Sequence, residues 1–269
     1  GQSADAQAEL FVVLSPGSDE TRTWLTKNVG ASRVIVAPPG CGPGAARNAV
    51  LDKRPRARTY FFFDDDVILQ GGELAALTQI LDADGRVGLA SGLPTREDGV
   101  PLSPQFERRP ASQAFPEVWN RWWGERAKTA RQGSIDADLV SSASIGIRGH
   151  AVRQIGGFDP VFWPGCHEDT DFCARLKSAG FRVVVDRATP VRQMVSTTMG
   201  RVLGEGHRVH CQATGVVYAA MNYPLPIAVG RLVQASLSSL LAREARWRRG
   251  DANGLLRCAR DWLYILRAR

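Results

Sequence analysis

Short apolar runs alternate with segments of helical spacing over the first two hundred residues of the chain. Apolar runs that end in turn-forming residues predict buried strands, and apolar positions three or four residues apart predict helices. Strands that alternate with helices predict βαβ units and a mostly parallel sheet in an α/β fold. The predicted strands are residues 10–14, 33–37, 59–63, 87–91, 137–147 and 181–186, and the predicted helices are 21–28, 45–53, 74–81 and one that opens at 167–171 and stops at Gly180.

The pattern changes in two regions of the chain. Residues 94–133 combine several prolines and many arginines with a cluster of tryptophans, which indicates an insertion. The C-terminal part has the apolar spacing of helices and carries many arginines. We therefore expect a core over residues 1–200, interrupted by a variable insertion at 94–133, and a mainly helical extension over residues 201–269.

Composition restricts the class of protein. A chain of 269 residues with 44% hydrophobic content can bury a substantial core, and its net charge of +7 suits anionic ligands. Five cysteines without a CxxC pair argue against a zinc ribbon or a disulfide framework and favour a reducing cytoplasm. The polar start shows no signal peptide, and no apolar run reaches membrane-spanning length, so a soluble chain is expected.

Three consecutive aspartates, Asp64, Asp65 and Asp66, follow the apolar run Tyr60-Phe61-Phe62-Phe63. Like charges held together repel one another, so a cation is expected among them, and carboxylate oxygens suit a hard divalent ion. The carboxyl ends of strands are also where open α/β sheets bind ligands. The pattern therefore predicts a metal-assisted site for a phosphorylated ligand.

A second acidic pair, Glu168 and Asp169, opens a predicted helix about a hundred residues later. With both acidic segments in view, the chain resembles the family 2 glycosyltransferases, which are inverting enzymes of the GT-A fold. The resemblance covers roughly residues 10–200 and rests on four segments in the family's order: GPGAARNAVL (42–51), YFFFDDDVIL (60–69), IGGFDP (155–160) and HEDTDFCARLKSAGFRVVVD (167–186). It implies a single Rossmann-like domain with a mixed, mostly parallel sheet between helices.

The resemblance assigns roles to the acids. Asp66 is expected to ligate Mn²⁺ or Mg²⁺ together with Asp64, and Asp64 and Asp65 also lie on the donor side. Asp169 is the expected base that takes the acceptor's proton, with Glu168 as a neighbouring carboxylate. The alternatives are that the aspartates cap a turn and that the helix acids only stabilise the helix dipole.

Further donor-side residues follow from the same resemblance. The small residues of the strand beside the donor sugar include Ser142 and Ala143, although close helix–sheet packing explains them equally well. Arg47, after the loop 42–44, could meet the nucleotide, or the loop could simply precede a helix. Ser15 and Asp19 lie on the nucleotide side, with Ser15 where the family has a base-contacting aspartate. The family's first βα unit is either absent from this chain or compressed.

Acceptor contacts and a third metal ligand are less constrained by the sequence. Trp122, Trp123, Trp163 and His167 are acceptor candidates, and the alternative for the tryptophans is a hydrophobic cluster that holds the insertion. His207 is a candidate third metal ligand or a surface residue. The basic, amphipathic C-terminal helices could contact an anionic membrane, a carrier protein or a second subunit, or cover their own domain.

We therefore expect an inverting glycosyltransferase that uses a nucleoside diphosphate sugar, with a UDP-sugar first, and a hydroxyl acceptor such as a glycan, a lipid or a small natural product. No nucleic acid is expected as a partner. The expected location is the cytoplasm or the inner face of the membrane. The alternatives are a catalytically idle carbohydrate-binding relative and a nucleotidyltransferase, although the arginine/lysine signature of the latter is not visible.

Overall fold

A computed structural model describes residues 8–14, 19–38, 41–96, 99, 133–162, 165–194, 206–226, 228–230 and 232–233, with backbone alone over 206–213. The strands are Val12–Leu14 (β1), Val34–Val36 (β2), Thr59–Phe63 (β3), Val67–Ile68 (β4), Val87–Thr95 (β5), Ser134–Asp136 (β6), Ser144–Arg148 (β7) and Arg182–Gln193 (β8). The α-helices are Asp19–Asn28 (α1), Pro43–Lys53 (α2), Glu73–Ala83 (α3), Gly149–Ile155 (α4), Glu168–Ser178 (α5) and Gly206–Asn222 (α6), and short 3-10 helices lie at Ala31–Arg33 and Pro160–Phe162.

The strands form two sheets. β1 and β2 pair in parallel as a two-stranded sheet, and the other six strands form a second sheet in the order β3-β7-β5-β8-β4, with β6 also paired to β8. β7 is antiparallel to both β3 and β5, β5 and β8 are parallel, and β4 and β6 are antiparallel to β8. The α/β class and the mixed sheet are thus confirmed, with less parallel pairing than the sequence predicts. β7 lies between β3 and β5 and runs antiparallel to both, which accounts for the difference.

Helices cover both faces of the larger sheet. On one face, Tyr60, Phe62 and Val183 pack with residues of α2, α4 and α5, including Leu51 and Phe172. On the other face, α3 packs on the sheet through Leu77 and Leu81, which meet Ala90, Val184 and Phe61. The alternation of side chains along β3 and β8 follows the period of two that a strand requires. The result is a helix–sheet–helix sandwich.

Several elements differ from the prediction: β5 and β8 continue past the predicted ends at 91 and 186, and β4 and β6 were not predicted. The predicted strand 137–147 forms a strand only from Ser144 on, as β7, because the chain leaves β8 after Ala137 and turns at Ser142 and Ala143 before it pairs with β3. The helix Gly149–Ile155 was not predicted from its short, glycine-led sequence. Strand β3 has the predicted bounds, 59–63. No helix in the described ranges is both long enough and apolar enough to cross a bilayer.

Gly149 supports a test of this packing. A Cβ atom there would lie 1.9 Å from the backbone oxygen of Ala57, and the Gly149 amide donates to the Arg58 oxygen at 2.7 Å. Because backbone atoms cannot move aside as a side chain can, Gly149→Ala is expected to lower the free energy of unfolding by about 2 kcal/mol or more, measured by urea denaturation.

Gly85→Ala is the matched control for this substitution. Gly85 is exposed, and a Cβ atom there meets no other atom within 4 Å. The control should change the free energy of unfolding by less than about 0.5 kcal/mol. Equal stabilities of the two variants would contradict the close approach at Gly149.

Candidate functional site

The three aspartates lie in a tight turn at the carboxyl end of β3. The Asp64 amide donates to the Ala143 oxygen at 3.0 Å, and the Val67 amide donates to the Asp64 oxygen at 3.2 Å. The Met194 amide donates to the backbone oxygen of Asp66 at 2.8 Å. Because β7 runs antiparallel to β3, its start meets the end of β3. The aspartates therefore lie between the start of β7 and the end of β8.

Each aspartate has a different environment. The Asp64 carboxylate accepts from the Arg47 guanidinium at 2.7 Å. The Asp66 carboxylate accepts from the side-chain amide of Gln193 at 3.1 Å, and Asp65 is exposed. Two of the three acids are therefore held by side chains from distant parts of the chain, and one faces solvent.

The second acidic pair opens helix α5 from a strained turn. Cys166 and His167 have φ angles of 78° and 71°, in the left-handed region that L-residues other than glycine rarely adopt. Two such residues in succession cost on the order of 1–3 kcal/mol each and persist only where the surroundings hold them. Glu168 then points inward, with its side chain 8% exposed, whereas Asp169 is half-buried and accepts from the Thr170 amide at 2.7 Å.

Arg47 joins the two acidic segments. One nitrogen of its guanidinium lies 2.7 Å from Asp64, and another lies 3.4 Å from the Glu168 carboxylate. Arg47 itself is 6% exposed, so it contacts both acids from the protein side. The strand-borne and helix-borne carboxylates, 104 residues apart in the numbering of Asp64 and Glu168, therefore share one counter-ion.

The electrostatics follow from this crowding. Burial first, and then the neighbouring Asp169, raise the pKa of Glu168 to about 7, while Arg47 opposes the shift. Burial also raises the pKa of Asp64, again against the effect of Arg47. Asp65 and Asp66 lie close enough to Asp64, and Asp169 close enough to Glu168, for their charges to oppose ionisation, and Arg47 contacts two of these five carboxylates. Such an excess of negative charge favours a cationic ligand.

A buried frame fixes α2 against the segment that leads to α5. The Asn48 side chain donates to the Phe158 oxygen and accepts from the Phe158 amide, both at 2.8 Å. Gly44 lets the helices approach, because a Cβ atom there would lie 3.1 Å from Phe158 and 3.5 Å from Glu168. The Phe158 ring stacks on Phe172 of α5 at 4.4 Å. Arg47 therefore projects from a rigid base.

The other donor-side candidates divide into three groups. Ser142 and Ala143 are buried, and the Ala143 oxygen accepts from the Asp64 amide. In the same small-residue segment, a Cβ atom on Gly146 would lie 2.9 Å from Phe61, so at that position close packing explains the small residue. Asp19 is the first residue of α1. Ser15 lies outside the described residues.

The acceptor-side candidates are described in part. His167 lies 3.1 Å from the Thr214 hydroxyl through Nδ1 and stacks on Tyr218 of α6 at 5.9 Å. Trp122, Trp123 and Trp163 lie outside the described residues. His207 belongs to α6, but its side chain also lies outside the description. Helix α6 therefore supports the strained turn through His167.

Cys166 differs from the sequence-based expectation. It is disulfide-bonded, whereas Cys41 and Cys173 are free thiols. The odd number of cysteines and the absence of a CxxC pair gave no indication of this bond, because a disulfide depends on two side chains meeting in space. Asp171 and Arg175, one helical turn apart in α5, form an ion pair at 2.7 Å.

The aspartate turn supplies part of the oxygen ligands that a divalent ion needs. Within the described residues, no group of three or more His, Cys, Asp or Glu side chains is arranged to hold a metal ion. Asp64 and Asp66 nevertheless offer carboxylate oxygens, which Mn²⁺ and Mg²⁺ accept. Magnesium is commonly bound by one or two carboxylates together with phosphate oxygens of a substrate, and the residues present fit that mode.

Sequence reasoning missed three residues of the site. Gln193 contacts Asp66 because the end of β8 pairs with β4, where Val67 lies opposite Gln193. Thr214 and Tyr218 meet His167 through the packing of α6 on α5. None of them belongs to a recognisable motif. The weak helical pattern around 206–222 is the one signal that could have indicated the α6 contact.

Comparisons with known proteins place the fold. No protein-family model matches the sequence, and no curated protein matches it as a relative. GalNAc-T7 in complex with UDP, GalNAc and Mn²⁺ is similar in structure, with a TM-score of 0.51 and 12% identity over 78% of this chain. A mycobacterial protein is similar with a TM-score of 0.52 and 15% identity over 80% of this chain. A mannosyltransferase from Pyrobaculum calidifontis with GDP-Man and Mn²⁺ scores 0.48 with 16% identity over 96% of this chain and 76% of its own.

These similarities concern the fold. The chain spans 45% of the length of GalNAc-T7 and 65% of that of the mycobacterial protein. At such identities the shared property is the α/β architecture of GT-A glycosyltransferases, with its mixed sheet between helices. Activity has to be argued from the side chains, since one fold carries many functions.

The raised pKa of Glu168 predicts that the free energy of unfolding depends on pH. The folded protein keeps the Glu168 proton up to a pH of about 7, whereas the ordinary pKa of the group is 4.5. Between those values the folded state binds more protons than the unfolded state, so the free energy of unfolding falls as pH rises. The full shift corresponds to roughly 3 kcal/mol as an upper limit.

Urea unfolding between pH 5 and 8, in EDTA, measures this effect. Glu168→Gln should remove this part of the pH slope and leave the variant relatively more stable at pH 8. Glu20→Gln, at an exposed position of α1, serves as the control and should keep the slope of the parent protein. An unchanged slope in Glu168→Gln would show that Glu168 titrates normally.

Proposed function

We propose that this protein is a glycosyltransferase of the family 2 type, which moves one sugar from a nucleoside diphosphate sugar to a hydroxyl acceptor with inversion. A UDP-sugar is the first choice of donor. The main support is the meeting of Asp64 and Glu168 on one guanidinium, which brings the two acidic segments to one place. The reaction needs one acidic site that binds a metal ion, which neutralises the charge of the leaving group, and a second acidic site that acts as a base.

The proposed chemistry assigns a role to each acid. Asp169 accepts the proton of the acceptor hydroxyl as that oxygen attacks the anomeric carbon. The bond from the anomeric carbon to the acceptor oxygen forms, and the bond to the diphosphate oxygen breaks with its electron pair. Asp169 is half-buried at the start of α5, which leaves part of its carboxylate accessible. Glu168 is turned into the protein and acts as its neighbour rather than as the base.

The donor side is assigned to the aspartate turn. Asp66 and Asp64 would hold Mn²⁺ or Mg²⁺, which supplies charge neutralisation at the departing diphosphate. Asp65 is exposed and available to the donor, and the buried Ser142 and Ala143 keep the wall beside the turn free of bulk. Ser15 and Asp19 are proposed to contact the nucleobase or the ribose of the donor, and His207 is proposed as a further metal ligand.

The acceptor and the cellular setting are part of the proposal. His167 and the tryptophans 122, 123 and 163 are proposed on the acceptor side. We further propose a bacterial, cytoplasmic enzyme whose arginine-rich C-terminal segment contacts a membrane, a carrier protein or a second copy. The support for that contact is the charge, with eight arginines against three acids over residues 234–269.

Donor turnover tests the proposal. UDP-, GDP- and dTDP-sugars, each with Mn²⁺, Mg²⁺ or EDTA, are assayed for binding and for release of the nucleoside diphosphate. We expect one donor class to be hydrolysed slowly in a metal-dependent manner. Binding without turnover would favour an idle carbohydrate-binding relative, and pyrophosphate release from a nucleotide and a sugar phosphate would favour a nucleotidyltransferase.

Two substitutions separate the roles of the acids. Asp169→Asn should lower kcat by at least about a hundredfold and leave the Kd of UDP nearly unchanged, because it removes a proton acceptor and not a ligand.

Asp66→Ala should raise the Kd of the donor in Mn²⁺ but have a small effect in EDTA. Asp52→Asn, at an exposed position of α2, is the control and should alter neither quantity. Unchanged donor affinity in Asp66→Ala would refute its assignment.

A further inference from the structure

Arg47 occupies a position that the proposed reaction does not explain by itself. Its guanidinium is almost fully buried, at 6% exposure. It contacts Asp64 at 2.7 Å and Glu168 at 3.4 Å through different nitrogens. A guanidinium presents its donors in a fixed planar fork, so two acids bound to different nitrogens are held in a fixed mutual arrangement.

The backbone that carries Arg47 is also fixed. Asn48 makes two hydrogen bonds of 2.8 Å with the backbone of Phe158, and a Cβ atom on Gly157 would lie 2.3 Å from the Asn48 carboxamide. The guanidinium carbon lies 5.5 Å from the centre of the Phe158 ring. Arg47 therefore cannot follow one acid away from the other without disturbing this packing.

A direct contact between Arg47 and a nucleotide is disfavoured by the same geometry. The two terminal nitrogens of Arg47 already bind Asp64 and Glu168, and almost none of the Arg47 side chain is exposed to solvent. Asp64, with 37% of its side chain exposed, already holds one of these nitrogens, so a phosphate at that nitrogen would have to displace the Asp64 carboxylate. Arg47 therefore acts on a bound ligand indirectly, because it holds the Asp64 carboxylate.

The contact with Glu168 affects the neighbouring residue. Consecutive residues of an α-helix are rotated by about 100° around its axis. Holding Glu168 inward therefore sets the direction of Asp169, which follows it in the first turn of α5. The two left-handed residues before the helix, Cys166 and His167, leave this turn in need of external restraint.

We propose that Arg47 is a positioning residue of the transfer reaction, which holds the donor-side Asp64 and the first turn of α5 in one arrangement without contacting the nucleotide. This inference rests on the proposed function for its role in the reaction. Its structural part, the coupling of Asp64 to Glu168 through one guanidinium, rests on the contacts alone. The effect of Arg47 on the pKa values of both acids agrees with this arrangement.

The kinetic test uses Arg47→Lys and Arg47→Met. A lysine carries the charge on a single nitrogen, so it lacks the planar fork that fixes two acids at different nitrogens. We expect kcat to fall about tenfold in Arg47→Lys and about a hundredfold in Arg47→Met, as for a misplaced catalytic group. The donor KM and the Kd of UDP in Mn²⁺ should stay within about threefold of the parent values, because uniform binding is not removed.

Arg86→Met is the matched control for the loss of an arginine. Arg86 lies on the surface, where it pairs with Asp84, and its side chain is 75% exposed. This variant should keep the kcat and KM of the parent protein. A rise of tenfold or more in the Kd of UDP with unchanged kcat in Arg47→Lys would mean that Arg47 binds the nucleotide, and the proposal would be overturned.

A double-mutant cycle tests the structural part without any donor. At pH 8 the unfolded chain has Glu168 ionised, so folded Arg47→Met must bury that charge without its counter-ion or bind a proton, and Arg47→Met/Glu168→Gln removes this cost. We expect the double variant to unfold at a higher urea concentration than Arg47→Met. Additive effects of the two substitutions would overturn the proposal, whether or not the protein is active.

The two tests distinguish the proposals. Should the parent protein turn over no nucleotide sugar, the proposed function fails. The Arg47 proposal then loses its kinetic role, and the cycle alone decides the coupling. Should turnover occur with normal kcat in Arg47→Met, the function stands and the Arg47 proposal fails. If Arg47→Met does not fold, Arg47→Lys provides the same kinetic comparison.

Discussion

The contact of one buried arginine with two acids is the constraint on which the site depends. Asp64 ends a strand of the larger sheet and Glu168 opens a helix, and without Arg47 between them these carboxylates would repel each other in a poorly solvated place. Because both carboxylates are attracted to the same guanidinium, they are held together instead of being driven apart. The strand end and the helix start are therefore coupled through charge as well as through packing.

The surrounding fold keeps this link rigid. Helix α2 is fixed by the hydrogen bonds of Asn48 with Phe158, and Gly44 allows α2 to approach Glu168. On the far side, α6 contacts His167, one of two residues in a strained conformation ahead of the helix. Strain of this kind is retained when neighbouring contacts over-determine it, and such strain is concentrated at functional sites.

The antiparallel insertion of β7 explains the layout of the aspartate turn. Because β7 runs opposite to β3, its first residues lie next to the last residues of β3, and Ala143 accepts a hydrogen bond from Asp64. The similarity to GalNAc-T7 and to a mycobacterial protein concerns the overall fold, while the chemistry rests on the individual side chains.

Local residue spacing was enough to predict the bounds of β3, with the aspartates directly after it, and the acidic first turn of α5. These features depend on neighbours within one strand or one helical turn. The folded structure was needed to see that Arg47 contacts both acids, that Gln193 contacts Asp66, that Cys166 is disulfide-bonded and that β7 separates β3 from β5. Those contacts join residues far apart in the chain, and which of them meet depends on the order of strands in the sheet, which no local pattern encodes.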